Sequence, residues 1–178
     1  MSVTSDGTSS GGVSEADLAA VRQQLGREPR GVVVVAHRCP CGQPDVVVTA
    51  PRLPDGTPFP TLYYVTCPRL TGAVSTLEAE GRMRQMQQRL DAEPELRSSY
   101  LQAHRRYLAE RDAIGRVDEI SHVSAGGMPD RVKCLHVLVG QSLASGRGVN
   151  RFGDEALDEI AERDLLKGPR CVDRGDAP

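Results

Sequence analysis

The chain has 178 residues, a formal charge of −2 and a pI near 6.1, which suits one domain with its own core and gives no overall electrostatic pull toward nucleic acid or an anionic membrane. Tryptophan is absent and aromatic residues make up only 3%, so a stacking platform for single-stranded nucleic acid is disfavoured. Any anion site must be local, and a basic set built almost wholly of arginine is read as coding composition rather than repeated phosphate recognition.

Residues 1–13 are rich in Ser, Gly and Thr and too poor in apolar side chains to offset chain entropy, so a disordered tail is expected there. They show no basic-then-apolar leader pattern, and no run is apolar enough to span a bilayer, so a cytoplasmic protein is expected. A single domain is expected over 14–167, followed by a flexible tail over 168–178. Ser14 caps a helix over 15–25, where Leu18, Val21 and Leu25 recur at helical spacing and Gly26 closes the element. Three β-branched runs, 31–36, 45–50 and 62–66, are bounded by Gly or Pro and predict three strands of one sheet. Between the last two, prolines and the Asp55-Gly56 turn exclude regular structure.

The second half reads as helical. Pro68 starts a helix to about residue 90 whose Leu70, Val74 and Leu77 share a face with Gly81, where a neighbour is expected to approach closely. Pro94 opens another to about residue 114, on which Tyr100, His104, Tyr107 and Arg111 form one stripe, read as a solvated or interface face. Pro129 suits a first helical position, and 132–143 is apolar on most sides, as in a helix buried by its neighbours. A last amphipathic helix is predicted over 154–166. The expected fold is therefore α+β, a small sheet of about three strands packed against four or five helices.

In a reducing cytosol, five cysteines are expected as metal ligands, catalytic thiols or buried small hydrophobes rather than as a disulfide framework. Cys39 and Cys41 sit one residue apart in a turn that Pro40 restricts and Gly42 permits. Cys67 leaves the third strand just before Pro68. Cys134 and His136 begin the buried helix, about 200° apart around it, so one ion takes either of them more easily than both. The simplest centre is zinc on Cys39, Cys41, Cys67 and Cys134 or His136; a four-thiolate iron–sulfur cluster uses the same cysteines. Cys171, beyond Gly168-Pro169 in a polar stretch, is expected to be irrelevant.

Three further sets of candidates stand beside this one. Ser124, Gly126 and Gly127 form a small-residue loop leading into a helix start, where free backbone N–H groups, Arg131 and Lys133 would receive a small anionic ligand. His37, with Tyr100, His104, Tyr107 and Arg111, supplies secondary candidates for acid–base or anion work. Asn150 and Asp154, in a glycine-rich stretch, suit a hard cation but are fully explained as a loop and helix cap.

The series His37-Arg38-Cys39-Pro40-Cys41-Gly42, then Pro58 through Pro68, then Ser124 through His136, resembles a bacterial family known only as a domain of unknown function. The resemblance spans about residues 15–166. It implies membership of a group commonest in high-GC Gram-positive bacteria, often encoded near enolase, a septum-formation-initiator-like protein and an exopolyphosphatase. It implies no catalytic residues. Three functions are expected in order: a cysteine-ligated metal-binding domain with a structural or regulatory role; a small enzyme acting on a phosphorylated or anionic substrate through a Cys/His site and the 124–133 loop; and a helical interaction protein linked to cell division or polyphosphate metabolism.

Overall fold

The computed structural model describes residues 12–168 and 171–172. The tail expected at 1–13 lies outside them except for Gly12 and Val13. Ser14 caps α1, Glu15–Leu25, by accepting a hydrogen bond from the Asp17 N–H at 3.1 Å, and Gly26 ends it with φ +67°. Three strands follow: β1, Val32–Arg38; β2, Pro44–Thr49; and β3, Tyr63–Val65. They form one antiparallel sheet in the order β1-β2-β3. β2 is buried on both faces because Val46 and Val48 face the main core while Val47, pointing the other way, meets Val21 and Leu25 of α1. β1 is an edge strand with irregular register, and its Val33 and Val34 remain exposed.

The helices are α2, Pro68–Ala79; α3, Arg82–Ala92; α4, Pro94–Asp112; α5, Leu135–Ser145; and α6, Arg151–Glu162, with a 3-10 turn at Asp118–Ile120. This is the expected α+β fold with one more helix than expected. The extra one arises at Gly81, whose φ of +85° breaks the run into α2 and α3. A side chain there would meet nothing, so the close approach expected at Gly81 does not exist. That role belongs to Gly140 of α5, where a Cβ would stand 3.1 Å from the Tyr63 carbonyl oxygen of β3, and to Gly153 of α6, where it would collide with the Leu138 carbonyl of α5.

α5 is the central helix, as its all-round apolar sequence predicts: Leu135, Leu138, Val139 and Gln141 are fully buried. It begins at Leu135 rather than near residue 132, and Pro129 follows a cis peptide bond instead of opening a helix.

The stripe on α4 is corrected more sharply. Tyr100, His104, Tyr107 and Arg111 face inward, not to solvent. Tyr107 Oη accepts from the Leu62 N–H at 2.6 Å, Tyr100 Oη donates to the Arg131 carbonyl at 2.9 Å, and His104 Nδ1 lies 2.9 Å from Ser124 Oγ. Arg111 donates to the carbonyls of Pro60, Ile120 and Val123. The two tyrosines and Arg111 satisfy the backbone of irregular segments that pack on the helix, and His104 meets the Ser124 hydroxyl, which is why a polar face is buried.

Candidate metal centre

β1 and β3 both run antiparallel to β2, so their C-terminal ends emerge at the same edge of the sheet, on either side of the start of β2. Cys39 follows β1 in a tight turn in which its N–H donates to the Gln43 carbonyl and the Gly42 N–H donates back to its own carbonyl at 2.8 Å, Gly42 taking φ +85°. Cys67 follows β3 and forms the N-cap of α2, with Pro68 at its first turn. Two strand spacings, about 10 Å, separate these positions across the sheet.

Cys171 closes that gap. Its Sγ lies 3.0 Å from Cys67 Sγ and 3.6 Å from Cys39 Sγ, and the residue is only 6% exposed. The sequence placed it in a tail without a role; the structure places it at the centre of the cluster. The segment after α6 is held near this site by the Leu165 N–H donating to the Ile160 carbonyl and by Arg69 donating to the Leu166 carbonyl. Nothing local in the sequence announces this, because the burial of Cys171 comes from chain segments far away in sequence.

The sulfurs of Cys39, Cys41 and Cys171 lie within 4.8 Å of one another, an arrangement able to hold a metal ion. Cys39 and Cys41 are joined as a disulfide, contrary to the expectation of free thiols. The four cysteines line one wall of a cleft of about 340 Å³, with Leu70, Leu143 and Leu157 forming an apolar side and Asp45 and His37 a polar one. His37 Nδ1 lies 2.8 Å from the Asp45 carboxylate. Burial pushes the Asp45 carboxyl up, and its hydrogen bond to His37 only partly opposes this. Burial, reinforced by the neighbouring Cys67, likewise pushes the Cys171 thiol up to about 11.

Cys134 and His136 do not join this centre. They stand beside Glu78, eleven residues along α2 from Cys67 and so about 16 Å along its axis. Nor are the two on opposite sides of a helix: Cys134 is the extended N-cap residue of α5, with φ −155° and ψ 109°, and its Sγ comes 4.0 Å from His136 Nδ1. Burial opposes the Cys134 thiolate, but hydrogen bonds from His136 and the Val137 N–H outweigh it and hold the thiol below its ordinary value. His136 is raised, chiefly by Cys134, against the effect of burial.

The anion loop also differs from expectation. Ser124 Oγ is held between His104 and the Met128 carbonyl, the Arg131 N–H donates to the Gly127 carbonyl at 2.9 Å, and the Lys133 N–H donates to the Gly126 carbonyl at 2.8 Å. The loop folds on itself instead of opening a helix. The helix start that follows it already holds an anionic group of the chain, since the Leu135 N–H donates to Glu78 Oε1 at 2.7 Å. Asn150 and Asp154 act as the loop-and-cap reading describes, Asn150 Oδ1 accepting from the Gly153 N–H and the Asp154 carboxylate from the Gly148 N–H.

The fold and these motifs define an α+β domain with a cysteine cluster at a sheet edge. Residues 35–158 match the family described as "Protein of unknown function (DUF501)", and the chain belongs to that family. No curated protein and no solved structure matches it. Cys39, Cys41 and Cys67 lie within the matched stretch and Cys171 beyond it. Among the described residues no helix is long and apolar enough to cross a membrane.

Proposed function

We propose that this protein binds one zinc ion through Cys39, Cys41, Cys67 and Cys171, and that the ion serves a structural or regulatory role by tying the β1–β2 turn, the start of α2 and the C-terminal segment together. The observation that carries the reading is the position of Cys171, buried between Cys39 and Cys67 at 3.6 and 3.0 Å. Three separate chain segments bring sulfurs together around Cys171, the pattern of a closed structural site once the Cys39–Cys41 disulfide is opened. Tetrahedral arms of about 2.3 Å place thiolate sulfurs about 3.8 Å apart. The 3.6 Å spacing to Cys39 is close to that and the 3.0 Å spacing to Cys67 is shorter still, whereas an iron–sulfur cluster inserts more atoms between its ligands and needs them farther apart.

The metal-binding form is the reduced one. Two electrons and two protons open the Cys39–Cys41 disulfide to two thiols, and zinc then displaces protons from the sulfurs it binds. Such a form requires a reducing compartment, and we place the protein in the cytoplasm on that ground. Free zinc at about a hundredfold above its dissociation constant should stabilise the reduced chain by about 2.7 kcal/mol, which for a protein of this size raises Tm by roughly 5–10 °C. Elemental analysis and an absorption spectrum of anaerobically purified protein distinguish colourless zinc from a brown cluster. A reduced chain that shows no zinc-dependent shift and carries no metal would defeat the proposal.

A further inference from the structure

α2 carries Thr71, Ser75 and Glu78 at i, i+4 and i+7, a stripe two turns long on one face. His136, the second residue of α5, leans into it. Its Nε2 lies 3.3 Å from the Thr71 carbonyl oxygen and 3.5 Å from Ser75 Oγ, while its Nδ1 lies 3.3 Å from Glu78 Oε1 and 4.0 Å from Cys134 Sγ. A carbonyl offers no proton, so the contact with Thr71 puts a ring proton on Nε2, and Nδ1, which faces the carboxylate and the sulfur, is the nitrogen at which a metal ion would replace the second proton.

That is the wiring of a metal-ligating histidine, whose second nitrogen donates to a backbone carbonyl while the first faces the ion. The carboxylate is anchored too, by the Leu135 N–H at 2.7 Å. One sulfur, one imidazole nitrogen and one carboxylate oxygen lie within 4.8 Å of one another. Cys134 faces the same nitrogen that meets Glu78, so three ligand atoms of different softness converge on one point. We propose that Glu78, Cys134 and His136 form a second divalent-metal site, suited to zinc and separate from the four-cysteine centre. All three residues are half-buried, so the fourth coordination position opens outward and takes water or an exchangeable ligand. The sites sit toward opposite ends of α2. One is closed by four sulfurs and the other is open with mixed ligands.

The test is a titration of the reduced full-length chain with Co²⁺ under anaerobic conditions, followed by absorption. Two equivalents are expected: one with strong sulfur-to-cobalt charge transfer, and one with weaker charge transfer and tetrahedral d–d bands, as a single thiolate gives. Cys134→Ser, His136→Gln and Glu78→Gln should each weaken the second equivalent by at least about tenfold and leave the first intact. Glu78→Gln keeps a carbonyl oxygen for the Leu135 N–H, so circular dichroism should show it folded. The proposal is overturned if the wild-type chain takes up cobalt only at the four-cysteine centre, or if the second equivalent survives all three substitutions. If instead a single equivalent binds that is lost in Cys134→Ser and kept in Cys39→Ser, this site stands and the four-cysteine reading falls.

Discussion

Replacing Arg111 with methionine removes the charge and the donors but keeps much of the side-chain volume. Arg111 is 1% exposed and forms no ion pair among the described residues; its guanidinium is held by the carbonyls of Pro60, Ile120 and Val123. Burial pushes its pKa down, a sign that the ion is retained there at some cost. Hydrogen bonds to a charged donor contribute about 1.5–3 kcal/mol each, and stranding a buried acceptor costs about 1–3 kcal/mol. Releasing a desolvated charge offsets part of that loss, so the net destabilisation should be about 2–4 kcal/mol. The chain has no tryptophan, so the assay is urea unfolding followed by far-ultraviolet circular dichroism, with Arg111→Lys expected to fall between wild type and Arg111→Met. A change within about 0.5 kcal/mol, the range of ordinary surface substitutions, would refute the reading of this arginine as a clamp joining α4 to two loops.

Tyr107→Phe leaves the buried Leu62 N–H without its 2.6 Å acceptor and should cost about 1–3 kcal/mol in the same assay; an unchanged midpoint argues against it. Gly153→Ala forces a methyl into the Leu138 carbonyl of α5, so the α5–α6 pair must separate and thermal stability should fall, whereas Gly81→Ala should cost only the strain of its positive φ. His104 is lowered by burial, with weaker charge effects from neighbouring groups. Because its folded pKa lies below the unfolded one, the contribution is fully present above about pH 6.5 and is lost as pH falls through and below that value. Stability curves of wild type and His104→Gln should therefore diverge on going from acid to neutral pH; parallel curves would remove His104 from the pH dependence.

What the sequence made legible follows from how local each signal is. The valine runs, the Ser14 and Gly26 caps and the largely apolar 132–143 stretch are local patterns; the strands and α1 form where they point, and α5 forms within its stretch from Leu135. Cys39, Cys41 and Cys67 were readable as a site because each ends a strand or lies in its turn, and antiparallel pairing carries those ends to one edge. Cys171 was not readable: its neighbours in sequence are polar, and its burial depends on the chain returning past α6 to the sheet edge. Cys134 was grouped with the other cysteines but stands beside Glu78 and His136 instead, and the helical angle expected to separate it from His136 does not apply because the residue is extended. The α4 stripe misled for another reason. Hydroxyls, an imidazole and a guanidinium look like a solvent face, but here the hydroxyls and the guanidinium bond backbone groups of loops that a sheet or helix would have satisfied internally, and the imidazole meets the Ser124 hydroxyl.

The central claim is that Cys171 belongs to the same metal centre as Cys39, Cys41 and Cys67. The direct measurement is zinc content and zinc affinity of the reduced chain compared with Cys171→Ser, both in a Cys134→Ser background that silences the Glu78–Cys134–His136 group. One equivalent of tightly held zinc in the parent, released in Cys171→Ser with a matching fall in Tm, is the predicted result. Equal zinc occupancy in both chains, or none in either, would contradict it.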